Sequence, residues 1–138
     1  MKNSCIVLGD QHQNILEGLR GLLETLFEGV VMVADRQSLF EALDKIKPNL
    51  AIVDWSLLGQ GKFGASSELN KRFPEIKYIV LSDYTEPSVV EDAMSAGASA
   101  FVLKQYAGID LFDAITSIQE GKTYISPTVN TKRDSQEH

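Results

Sequence analysis

Residues 50–54 read Leu-Ala-Ile-Val-Asp, four apolar side chains in succession closed by an acid. A strand with one wet face alternates apolar and polar residues, so an unbroken run belongs to a strand covered on both faces, as in a parallel sheet flanked by helices. Outward from this run the same signature recurs at residues 5–8, 30–33, 78–81 and 100–103. Five short strands at regular intervals are expected.

Between the runs the apolar spacing changes to three and four. Ile15, Leu16, Leu19, Leu22, Leu23 and Leu26 form one helical stripe, and Leu39, Phe40, Leu43 and Ile46 a shorter one. Ser38 with Glu41 reads as a capping box, and Pro48 as the stop. Ala65, Leu69 and Phe73 give a weaker stripe before Pro74. Val89, Val90, Ala93 and Met94 precede Gly97, which can end a helix in the left-handed conformation, and Leu111, Phe112, Ile115 and Ile118 precede Gly121. Alternating strands and helices imply right-handed βαβ crossovers. The expected fold is α/β, a doubly wound five-stranded parallel sheet of order 2-1-3-4-5 with helices on both faces. Apolar periodicity stops at Thr123, so residues 1–122 are expected to form the domain and 123–138 a polar tail or the start of a linker.

The chain has 138 residues, 43% of them hydrophobic and 23% charged, enough for one ordinary globular core. A net charge of −6 repels nucleic-acid phosphates and anionic lipids, so neither direct nucleic-acid binding nor membrane binding is expected. Cys5, the single cysteine, lies in an apolar run and reads as a buried thiol in a reducing compartment. Lys2 is not followed by a signal-like apolar stretch, and no run reaches transmembrane length, which makes a cytoplasmic location the expectation.

In a parallel sheet the residues just past the carboxyl ends of the strands share one edge, where ligands bind. Those positions carry Asp10, Asp54, Ser82 and Lys104, while Asp35 follows the outer second strand. Two carboxylates can hold a hard cation such as Mg2+. One of them can also attack phosphorus to give an acyl phosphate, whose oxygens then need the positive charge and donors that Lys104 and Ser82 bring.

The segments Ile6-Val-Leu-Gly-Asp10-Gln11-His12, Glu17-Gly-Leu-Arg20, Leu50-Ala-Ile-Val-Asp54, Ile79-Val-Leu-Ser82 and Ala96-Gly-Ala-Ser-Ala-Phe101-Val-Leu-Lys104 occur in this order. Over roughly residues 4–121 the chain resembles the CheY-like receiver domains of two-component response regulators, most of all those of LuxR-type transcription factors. The resemblance implies a flavodoxin/CheY-like fold with Asp54 as phosphoacceptor, Lys104 as the catalytic lysine, Ser82 as the switch hydroxyl and Phe101 as the aromatic switch. It also implies Mg2+ held by Asp10, Asp54 and the backbone carbonyl of Ser56, with Gln11 as a weak ligand. The partners implied are a histidine kinase or phosphotransfer protein and a second copy of the chain through the first or last helix. A DNA-binding output domain beyond residue 138 is implied too, while a stand-alone receiver ending near His138 fits equally well. Self-phosphorylation and dephosphorylation would be the only chemistry.

Several residues depart from the family pattern. Gln11 stands where a second acid is usual, Leu57 and Leu58 replace Met-Pro, Gly64 comes about two residues late, Asp83 occupies a position that is typically small, and Gln105 replaces an aspartate. These changes keep open a pseudo-receiver, an interaction module that works without phosphorylation. A more remote alternative is a dinucleotide-binding domain, because Gly59, Gly61 and Gly64 spell G-x-G-x-x-G; yet Trp55–Leu58 separate that motif from its strand. His12 is expected as a surface or capping residue, and Trp55 as half-buried in its loop.

Overall fold

The computed structural model describes residues 3–11, 13–58 and 65–127. His12, the glycines at 59, 61 and 64, and residues 128–138 lie outside that set, as do the side chains of Ile15, Leu16 and Ala65. In chain order the elements are β1 (Asn3–Gly9), α1 (Gln13–Glu24), β2 (Phe27–Val33), α2 (Arg36–Ile46), β3 (Leu50–Asp54), α3 (Trp55–Leu58), α4 (Ala65–Arg72), β4 (Lys77–Ser82), α5 (Pro87–Ser95), β5 (Ala100–Leu103), a single 3-10 turn (Lys104–Tyr106), α6 (Ala107–Gln119) and β6 (Tyr124–Ile125).

The strands form one sheet of order β2-β1-β3-β4-β5-β6, every neighbouring pair parallel. The expected order holds, with a sixth strand added where a polar tail was expected to begin. Tyr124 and Ile125 are too short a run to register as a strand by pattern; they join the sheet because Gly121, at φ 80°, turns the chain back beside β5.

Period-two alternation explains why the central strands are apolar throughout. Val7, Ala51, Val53, Tyr78, Val80, Phe101 and Leu103 face α2, α3, α4 and α5, where Leu39, Leu43, Leu58, Leu69 and Val90 pack on them. Ile6, Leu8, Ile52, Ile79, Leu81 and Val102 face α1 and α6, meeting Leu19, Leu23, Leu111 and Ile115. All these residues are buried.

Local signals differ from expectation at three places. Leu26 lies in a turn rather than in α1, and β2 begins at the buried Phe27, three residues ahead of the Val-rich run. The cap of α2 is Asp35, whose carboxylate accepts the Ser38 N–H at 2.8 Å, while Glu41 accepts from Gln37 instead of reaching back. That helix stops at Lys47, left-handed at φ 50°, before Pro48 is reached. Gly97 does end α5 as expected: at φ 116° its N–H meets the Met94 carbonyl, and a Cβ there would lie 2.6 Å from Asn70 Cγ. Among the described residues no helix is long and apolar enough to cross a membrane.

Candidate functional site

Strand register builds the site. Gly9 pairs with Val53, Asp54 with Leu81 and Ser82 with Leu103, so Asp10, Asp54, Ser82 and Lys104 emerge together at the carboxyl edge. The Asp10 N–H donates to the Val33 carbonyl at 3.0 Å, fixing its backbone to β2. Lys104 Nζ lies 2.8 Å from Asp54 Oδ1 and 3.1 Å from Asp10 Oδ2, with all three side chains at most 4% exposed. Asp35 caps α2, apart from this cluster.

Burial alone pulls the Lys104 ammonium down, but hydrogen bonds and charge from Asp54, then Asp10, outweigh it and hold its pKa above the ordinary 10.5. The lysine is therefore cationic at neutral pH. Asp54 divides its two oxygens: Oδ1 faces Lys104, while Oδ2 accepts the Ser56 hydroxyl and, at 3.3 Å, the Ser56 N–H. The family resemblance implies a role for Ser56 only through its carbonyl; a hydroxyl two residues past the acid is the signal for this side-chain contact.

Ser82 is fully buried, and its hydroxyl accepts the Tyr84 N–H at 2.8 Å. It thus ties down the turn that follows β4. Phe101 is fully buried in the cluster with Tyr78, Val80 and Val90. Gln11, Asp83 and Gln105 are exposed at the rim. Trp55, expected half-buried, is only 5% exposed: as the first residue of α3 it packs into the core.

Among the described residues no group of three or more acids, histidines or cysteines gathers to hold a metal. Two buried carboxylates, Asp10 and Asp54, nonetheless bring together oxygen donors of the kind Mg2+ takes with part of its water retained. A cavity of about 500 Å³ between α2 and α4, lined by Arg36, Phe40, Glu68 and Arg72 among others, shares no residue with this cluster.

A family model for the response regulator receiver domain matches residues 6–116. The chain belongs to that family. This receiver is 31% identical over 126 residues to the transcriptional regulatory protein DegU of Brevibacillus brevis, covering 90% of this chain and 53% of DegU. RcsB of Salmonella typhimurium superposes with a TM-score of 0.83 at 28% identity, over 95% of this chain and 67% of that one. The isolated RcsB receiver domain from Salmonella enterica serovar Typhimurium, solved with the phosphomimetic BeF3−, gives 0.81 at 26% identity, over 95% and 98%. These relatives are LuxR-type regulators. The receiver spans about half the length of DegU.

Proposed function

We propose that this receiver accepts a phosphoryl group on Asp54 from a histidine kinase or phosphotransfer protein and passes the change to an output surface. The observation that carries the reading is the Lys104 ammonium held 2.8 Å from a buried Asp54. A carboxylate oxygen of Asp54 attacks phosphorus in line. The P–O bond of the acyl phosphate forms as the P–N bond of the phosphohistidine breaks, its electron pair and a proton ending on the imidazole. Lys104 then pairs with a phosphoryl oxygen. Ser82 exchanges its bond with Tyr84 for one to the phosphoryl group, which frees the turn after β4. Phe101, buried in the core and without a hydroxyl, would take part in the switch through packing alone. Asp10, Asp54, the Ser56 carbonyl and, weakly, the Gln11 amide would hold Mg2+, which supplies charge to neutralise the phosphoryl oxygens.

The receiver is a cytoplasmic signalling module rather than a turnover enzyme, and we count residues 124–126 within it because the Ser126 N–H still bonds the Phe101 carbonyl. Its similarity to DegU and RcsB supports an output domain beyond. Homodimerisation through the last helix is supported by Ile109 and Phe112, 74% and 54% exposed on α6. Gln11, which brings no charge, favours the pseudo-receiver as the second reading. Intact-mass analysis after treatment with a small-molecule phosphodonor, with and without Mg2+, separates the two. A phosphate-sized gain in the wild type that is lost in Asp54→Ala is expected; no gain in either protein would leave the interaction module.

A further inference from the structure

The final residues of the sheet are fastened more heavily than a two-residue strand requires. β6 pairs with β5 through Ala100–Tyr124 and Phe101–Ile125, and the ladder runs one step further, with the Ser126 N–H donating to the Phe101 carbonyl at 2.9 Å. Ser126 is fully buried. Its hydroxyl accepts the Leu103 N–H at 3.0 Å and donates to Asp110 Oδ2 at 2.9 Å. Asp110, 8% exposed in the first turn of α6, also lies close enough to the Tyr124 phenol to raise its pKa.

A buried hydroxyl and a buried carboxylate take no part in the phosphoryl chemistry above. Apolar residues could fill the same space without the desolvation cost. What this pair holds together is specific: the short sixth strand with Ser126, and the last amide of β5. That amide belongs to Leu103, which pairs with Ser82 and directly precedes Lys104. Ser82 and Lys104, the two side chains that would contact a phosphoryl group on Asp54, thus lie opposite or next to the residue that the latch holds.

We infer that Ser126 and Asp110 form a latch that locks residues 124–127 and the main chain of Leu103 and Lys104 into one unit, making Ser126 a positioning residue for Lys104. Fixing the Lys104 backbone pre-organises its ammonium for an anion on Asp54 and spares part of the ordering cost of binding one. By reciprocity, an anion bound there stabilises residues 124–127. The first half stands on the hydrogen bonds alone; the second rests on the phosphoacceptor reading.

Hydrogen–deuterium exchange of the whole 138-residue chain, resolved by amide, tests the first half. Ser126→Ala is expected to raise exchange at Leu103 and at residues 124–126 together by about tenfold or more, leaving β1 and β3 unchanged. Ser126→Thr, which keeps the hydroxyl, is expected to restore protection. Should Ser126→Ala fail to fold, Tyr124→Phe, which removes only the phenol from Asp110, is expected to give a smaller change at the same amides. A Leu103 amide that stays protected while 124–126 open would overturn the latch. For the second half, beryllofluoride with Mg2+ is titrated by Trp55 fluorescence. The dissociation constant is expected to rise about threefold or more in Ser126→Ala, and equal constants would refute the positioning role. If the wild type binds no beryllofluoride, the phosphoacceptor reading and the positioning role fail together, while the exchange arm still decides the latch.

Discussion

Replacing Lys104 by methionine keeps the unbranched stem and removes the charge. In the wild type the ammonium serves two buried carboxylates, at 2.8 Å from Asp54 and 3.1 Å from Asp10. At those separations each attraction is about 5 to 6 kcal/mol for an effective dielectric constant of about 20, and desolvation of the ammonium cancels a large share of it. The raised pKa of Lys104 shows which side wins. Its pairing contributes fully below the ordinary lysine value of 10.5 and is lost only as pH climbs through the higher folded value, so at pH 7 it is complete. Without the cation two buried acids face each other with no shared countercharge. Removing one partner from a buried pair costs about 3 to 5 kcal/mol, against a total stability of about 5 to 15 kcal/mol. Urea denaturation followed by circular dichroism should therefore show a midpoint lowered by about 2 M near neutral pH. A midpoint within about 0.3 M of wild type at neutral pH would refute the electrostatic picture of the site.

Other residues give independent checks. Gln11→Asp adds a carboxylate at the rim and should tighten Mg2+ binding about tenfold, or about 1.4 kcal/mol, read by titration calorimetry; an unchanged constant would remove Gln11 from the ligand set. Asp83→Ala takes an exposed negative charge from the mouth of the site and should speed phosphorylation by a small anionic phosphodonor several-fold, as timed by intact mass, with a slower rate counting against it. Burial, with Asp110 and Asp113 nearby, pushes the Tyr124 phenol up to about 12. Its contribution to stability is complete below pH about 10 and disappears as pH rises from there to about 12, so Tyr124→Phe should flatten the alkaline limb of the stability curve.

The sequence carried most of the architecture because burial on both faces leaves a mark no other strand leaves. Residues 50–53 and 78–81 are apolar without interruption, and each residue indeed meets helices on one side or the other. The start of β2 was less legible, since Leu26 continues the three-and-four spacing of α1 and only the bonds of the intervening turn exclude it from the helix. Asp35 and Ser38 are both good capping residues, and nothing local chooses between them; the choice follows from where β2 delivers the chain. Site positions were legible because parallel strands place their ends by topology. Their bonding was not: that Asp54 would give one oxygen to Lys104 and the other to Ser56 depends on side-chain rotamers. Ser126 was hidden for a different reason. A polar residue after a glycine-stopped helix reads as tail, and only a partner in another element, Asp110 in α6, makes its burial tolerable.

The claim that Asp54 is the nucleophile is tested most directly by trapping its product. After treatment with phosphodonor and Mg2+, borohydride reduction converts an aspartyl phosphate to homoserine, and peptide mass mapping locates the converted residue. Conversion at position 54 alone, absent without phosphodonor, is the expected result. Conversion at Asp10 or Asp83 in place of Asp54, or none at any aspartate, would contradict it.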